Sequence, residues 1–268
     1  MSWLQAIFLG ILQGATEFLP VSSSGHLVLV PYLLGWTRHS LALDVLLHVG
    51  TMVAVVIYFW NDLWTLALAA LESVRTRSLA DPQARLAWAL VIGSIPAALI
   101  GFLFEDFVEG LFGTPRAAAA FLLGTALLLV LSEYLSTRER ALETLTWRDA
   151  LLIGLAQTLA LAPGLSRSGA TIAAGLLLGY RRDEATRFSF LLAVPIVLGG
   201  GAYQLLKAAL SGMGQADWLV MGLGGLAAGV TGYFAIAGLL AYVRRHPLYP
   251  FAAYCALFGL LVLTGILG

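Results

Sequence analysis

The 268-residue chain is 60% hydrophobic and only 11% charged, with a mean hydropathy of +0.89. Soluble domains carry about a quarter of their residues as charges, so a protein core alone does not explain this balance and lipid must be part of the solvent. Lys plus Arg and Asp plus Glu balance at 15 each, which leaves no basic surplus for nucleic acid. The single cysteine, Cys255, sits in an apolar run and reads as a small core residue. No basic n-region precedes the first apolar segment, so no cleavable signal peptide is expected.

In chain order, residues 3–34 come first, an apolar stretch broken near its middle by PVSSSG. Each half is too short to cross a bilayer, and broken backbone at membrane depth survives only inside protein or against a water-filled cavity. The segment therefore predicts a re-entrant helix–break–helix hairpin. Full spans are predicted over 42–60, 86–104 and 117–136. A second hairpin follows at 149–179, broken by PGLSRSG, and then spans at 188–207, 218–243 and 248–267.

The two halves are related. A shift of 144 positions carries Gly10 onto Gly154, Gln13 onto Gln157, Ser22 onto Ser166, Ser24 onto Ser168 and Gly25 onto Gly169. The expected fold is an all-α integral membrane protein: six transmembrane helices plus two re-entrant hairpins, one membrane domain built of two repeats at about 1–136 and 149–268. With 36–40 outside, the segments 61–85, 137–148, 180–187 and 244–247 fall inside, and 105–116 and 208–217 outside. Eleven of the 15 basic residues then lie inside, as the positive-inside rule requires. Three spans per repeat invert the second copy relative to the first. Both termini are expected outside.

The polar residues of the breaks carry the chemistry. Gln13 and Glu17 share one face of the first half-helix. A carboxylate within an apolar segment costs about 2.5–3.5 kcal/mol on insertion scales and is functional by default. After Pro20 come Ser22, Ser23, Ser24, Gly25 and His26, whose hydroxyls and helix N-terminal N–H groups suit an anion. In the second break Arg167 stands among Ser166, Ser168, Gly169 and Thr171. A guanidinium there wants a carboxylate or phosphate, and pairing with Glu17 across the hairpins is compatible with holding a substrate anion. Hydroxyls, an imidazole and an anion clamp together fit phosphoryl chemistry better than cation transport. Asp44 and His48 share a helical face and are weaker candidates for the same cavity.

These motifs closely resemble the undecaprenyl-pyrophosphate phosphatase family, the bacitracin-resistance proteins of bacterial cell-wall synthesis. Gln13 to Glu17 followed by PVSSSGH is one signature; Pro163 to Thr171, followed by FSFLLAVP at Phe188 to Pro195, is the other. The resemblance implies hydrolysis of undecaprenyl pyrophosphate to the monophosphate and phosphate, in the bacterial inner membrane, at a site facing the periplasm. It also implies dependence on a divalent metal, Mg²⁺ or alternatively Ca²⁺, with Glu17 orienting the metal or the attacking group. Carried over, Arg167 clamps the pyrophosphate, with Gln13, Ser22, Ser24, Gly25, Ser166, Ser168, Gly169 and Thr171 as binding partners. Ser23 attack with His26 as base is favoured, and direct attack by His26 is the competitor. Gln13 stands where some members have Glu, which makes a two-carboxylate metal site less fitting. The expected partner is a polyprenyl pyrophosphate; a homodimer is left open. The rival from another class is a polyprenyl-phosphate transporter or flippase, since inverted repeats with broken helices are also a carrier architecture.

Overall fold

The computed structural model describes residues 2–37, 40–104, 110–111, 114–210 and 215–266. Among these residues the chain is helical, with no β-strand. The helices are α1 (Trp3–Phe18), α2 (Ser23–Leu33), α3 (Leu41–Tyr58), α4 (Trp60–Thr76), α5 (Pro82–Leu103), α6 (Pro115–Leu135), α7 (Trp147–Thr158), α8 (Arg167–Leu177), α9 (Arg182–Leu210), α10 (Gln215–Val243) and α11 (Tyr249–Leu263). Helices α5 and α6 and residues Trp218–Val243 of α10 are each long and apolar enough to cross a membrane. The protein is thus a multi-helix membrane protein.

Both stretches expected as hairpins fold as helix, break, helix. Helix α1 starts on a capping box between Ser2 and Gln5 and stops at Leu19, which takes an extended ψ of 140° ahead of Pro20. Ser22 then caps α2, its Oγ accepting from the Gly25 N–H. Helix α7 starts on a matching box between Thr146 and Asp149. Pro163 and Gly164, the latter at φ +103°, open the second break, and Ser166 caps α8 through the Gly169 N–H.

Two segments differ from expectation. No span is predicted over 61–85, whereas Trp60–Thr76 is a helix bent by 79° from α3. Asp62, Glu72 and Arg75 dilute the hydropathy of this stretch. Its apolar residues Trp60, Trp64, Leu68 and Leu71 recur at helical spacing and form an exposed stripe. Similarly, the inside segment 180–187, expected ahead of the span at 188–207, is already helical from Arg182. The segments expected as outer loops, 36–40, 105–116 and 208–217, fall partly outside the described residues, as do Met1, Arg38 and the last two residues.

Small residues let the helices cross closely. A methyl group on Gly10 would run into the Gly224 carbonyl of α10, and one on Gly154 of α7 into the Gly93 carbonyl of α5. Helix α10 also packs on α3, α9 packs on α3, α5 and α8, and α11 packs on α6. Elsewhere in the bundle, neighbouring segments meet through ions. Glu133, fully buried, accepts from Arg182 at 2.6 and 2.7 Å, from Arg138 at 3.0 Å and from the Leu248 N–H at 2.8 Å. Asp149 accepts from Arg140 at 2.8 Å and from the Tyr180 hydroxyl at 2.7 Å. Arg187 donates to Asp62 at 2.6 Å. Cys255 is buried in the core, as expected.

Candidate active site

The two breaks meet. Ser168 Oγ donates to the Leu19 carbonyl at 3.1 Å, and the backbones of Gly25 and Gly164 are so close that a methyl group on Gly25 would lie 3.0 Å from the Gly164 Cα. The N-termini of α2 and α8 are thereby brought to one place, each with positive backbone dipole and free N–H groups of its first turn. Thr125 of α6 fastens the second break: its hydroxyl donates to the Gly164 carbonyl at 2.8 Å and accepts from the Ser166 N–H at 2.9 Å.

Glu17, 8% exposed, is the hub. Its Oε1 accepts from Arg167 Nη2 at 2.9 Å, which joins the two hairpins as an ion pair. Its Oε2 accepts from Gln13 Nε2 at 2.9 Å and from the Ser23 hydroxyl at 2.5 Å. His48 Nδ1 donates to the Asp44 carbonyl at 2.7 Å, which leaves Nε2 directed at the same carboxylate oxygen, 3.7 Å away. Glu17, Arg167 and Thr51 line a narrow cleft whose other walls are apolar, among them Met52 and Val55 of α3 and Val194 and Val197 of α9. Polar floor and apolar walls suit an amphiphile with an anionic head.

Two polar atoms at this site are unfilled. Among the described residues, Arg167 Nη1 has no hydrogen-bond acceptor and Gln13 Oε1 no donor, although both are buried. A buried guanidinium N–H without a partner is costly, and a ligand oxygen would satisfy it.

The other expected residues divide differently. Ser22 and Ser166 cap their helices, and their hydroxyls also contact Ser24 at 3.2 Å and Ser168 at 3.1 Å. Thr171 turns to the Ser189 hydroxyl, 2.6 Å away, and ties α8 to α9. Gly25 and Gly169 serve the close packing of the breaks. His26 does not join the carboxylate. Its Nδ1 donates to the Ser22 carbonyl at 2.7 Å and its Nε2 accepts from the Tyr254 hydroxyl at 2.7 Å. Thr125, Ser189 and Tyr254 are residues the sequence reading did not single out. Only Ser189, inside the FSFLLAVP run, carries a sequence signal.

A family model described as bacitracin resistance protein BacA matches residues 6–261. The chain belongs to this family. It is 47% identical to an undecaprenyl-diphosphatase of Rubrobacter xylanophilus over 94% of this chain and 93% of the relative. It is 42% identical to one from Pelobacter propionicus over the whole of both chains, and 43% identical to one from Halothermothrix orenii over 98% of each.

The metal implied by the family resemblance can be tested on the donor set. Among the described residues no group of three or more His, Cys, Asp or Glu side chains converges as metal ligands. Both oxygens of Glu17 are already taken by Arg167, Ser23 and Gln13. A guanidinium on a carboxylate opposes a cation on the same group. These residues do not fit a protein-built metal centre.

Proposed function

We propose that this protein hydrolyses undecaprenyl pyrophosphate to undecaprenyl phosphate and inorganic phosphate, with Ser23 as the attacking group. The observation that carries the reading is the Ser23 hydroxyl donated to Glu17 at 2.5 Å, beside a buried Arg167 N–H without an acceptor. The head group enters the cleft with its distal phosphate at the two helix N-termini, and the prenyl tail leaves along the apolar walls of α3 and α9. Ser23 Oγ attacks the distal phosphorus as Glu17 Oε2 takes its proton. The bond from that phosphorus to the bridging oxygen breaks, and undecaprenyl phosphate departs with the proton that Glu17 returns to that oxygen. Water, deprotonated by Glu17, then attacks the phosphoserine, releasing phosphate and restoring Ser23. Arg167, already paired with Glu17 through Nη2, offers Nη1 to the charge spread over the phosphoryl oxygens; such positioning and charge stabilisation is most of what phosphoryl transfer asks of a protein.

A divalent cation, Mg²⁺ or Ca²⁺, would come with the substrate rather than rest in a protein-built centre and would offset phosphoryl charge, and Gln13 Oε1 would be the protein acceptor available to it. The names of the relatives favour hydrolysis over the carrier alternative, and a carrier has no evident need for a serine held on a carboxylate.

The arrangement around the site is an inverted repeat: α3, α5 and α6 follow the first hairpin, and α9, α10 and α11 the second. The paired crossings support it, Gly10 of α1 on α10 and the shift-related Gly154 of α7 on α5. All six helices span the inner membrane, α4 lies along its inner face with Trp60 and Trp64 at the interface, and the cleft opens to the periplasm. The test is chemical trapping. Substrate labelled on its distal phosphate, quenched in acid during turnover, should leave label on Ser23; turnover with no label at Ser23 at any quench time would remove Ser23 from the reaction.

A further inference from the structure

His26 is buried at 1% exposure and has no ring nitrogen to spare, which raises the question of what an imidazole does one turn from Ser23. The answer lies at Ser22. This residue takes φ 69° and ψ 95°, one of three described non-glycine residues at positive φ. Such a conformation is sparsely populated and persists only where the surroundings over-determine it. Here two donors from one residue hold it: the Ser22 carbonyl accepts from the His26 backbone N–H at 3.2 Å and from His26 Nδ1 at 2.7 Å. A helix cap normally supplies only the first of these bonds.

The ring is itself anchored from the far end of the chain. With Nδ1 carrying the proton, Nε2 is an acceptor, and the Tyr254 hydroxyl of α11 donates to it at 2.7 Å. The rings of Tyr254 and Phe258 flank the imidazole at centroid distances of 5.6 and 5.3 Å, that of Tyr254 within 6° of parallel. The chain of contacts is therefore continuous: Tyr254 hydroxyl, His26 ring, Ser22 carbonyl, and then the peptide that aims Ser23 Oγ at Glu17.

We propose that His26 and Tyr254 are positioning residues, which lock the Ser22 turn and so point the Ser23 hydroxyl at the carboxylate, and that the imidazole takes no proton from Ser23. This rests on Ser23 being the attacking group. It assigns a role to Tyr254, on the last described helix, and replaces the base role that spacing alone suggests for His26.

Isosteric substitution separates positioning from ring chemistry. In His26→Asn the amide Nδ2 falls where Nδ1 was and can still donate to the Ser22 carbonyl. In His26→Gln the amide reaches toward the Nε2 position and cannot. Phosphate release from undecaprenyl pyrophosphate would be measured in detergent for wild type, His26→Asn, His26→Gln, His26→Ala, Tyr254→Phe and Ser23→Ala, each checked by thermal unfolding. Misplacement of a reacting group by about 1 Å lowers turnover by about 10²-fold. Gln and Ala should fall by about that factor in kcat with KM near wild type, because the phosphate-binding groups stay in place. Asn should stay within about tenfold of wild type, and Tyr254→Phe should lose kcat by a smaller factor.

Asn as inactive as Ala in a folded protein would mean that the ring itself reacts, and would overturn the proposal. Wild-type kcat in His26→Ala, or in Tyr254→Phe should His26→Ala not fold, would overturn it equally. A Ser23→Ala protein that turns over at the wild-type rate would instead defeat the serine reading on which it rests; an inactive Ser23→Ala beside an inactive His26→Asn defeats the positioning proposal alone.

Discussion

Replacing Arg167 separates two things that one guanidinium does. Its Nη2 neutralises Glu17 at 2.9 Å, with only 15% and 7% of the two side chains exposed, while Nη1 is the unfilled donor at the cleft. Arg167→Ala strands a buried carboxylate, and removing one partner of a buried pair costs about 3–5 kcal/mol. It also removes the phosphate contact. Adding Glu17→Gln to Arg167→Ala discharges the stranded group, so the double variant should recover most of the lost stability yet remain inactive. Arg167→Lys retains the charge, but a compact ammonium cannot serve Glu17 and a phosphate oxygen with the two arms of a planar fork. Losing one charge-assisted hydrogen bond, about 1.5–3 kcal/mol, corresponds to a fall in kcat/KM of about 10- to 150-fold. Phosphate release and thermal unfolding in the same detergent read both effects. Arg167→Lys with wild-type kcat/KM, or Arg167→Ala at wild-type stability with the double variant no better, would refute this division of roles.

Three further outcomes are expected. Thr125→Val leaves the Gly164 carbonyl and the Ser166 N–H without their partner, so it should destabilise by about 1–3 kcal/mol and lower activity by loosening Arg167; equal unfolding midpoints for variant and wild type would contradict it. Gly154→Ala sets a methyl group against the Gly93 carbonyl and should cost about 1–3 kcal/mol, whereas Gly238→Ala, which meets open space, should not; thermal midpoints of the pair decide the matter. Asp149, at the head of α7 and outside the spans, would be raised by burial, but hydrogen bonds from Arg140, Tyr180 and Thr146 outweigh that and hold its carboxyl at about 2, below the ordinary 3.8. With the folded value depressed, its contribution is complete above 3.8 and is lost as the pH falls through about 2. Unfolding midpoints followed over that window should drop for wild type, and Asp149→Asn should remove this part of the acid dependence.

The sequence shows the breaks because they violate the local pattern. Pro20 and the serine run, or Pro163 with Gly164 and Arg167, have no place inside an apolar span unless they line a site. Glu17 and Arg167 are visible for the same reason, and the structure pairs them across 150 residues. Helix α4 is missed because its charged face lowers the window average that marks a span. His26 lies one turn from Ser23, where spacing suggests a base, while its ring bonds the Ser22 carbonyl and the hydroxyl of Tyr254, 228 residues away, a contact no local pattern shows. Thr125 is hidden in the same manner, a lone threonine in a run of alanine and leucine whose hydroxyl matters only once α6 lies against the second break.

The proposed reaction is cleavage of a polyprenyl pyrophosphate at the joined breaks through Ser23 on Glu17. Its most direct test is phosphate release from undecaprenyl pyrophosphate by purified protein with Mg²⁺, comparing wild type with Ser23→Ala. Wild type should release phosphate, and a Ser23→Ala protein that unfolds at the wild-type temperature should not. No release from folded wild type, or undiminished release from Ser23→Ala, would contradict it.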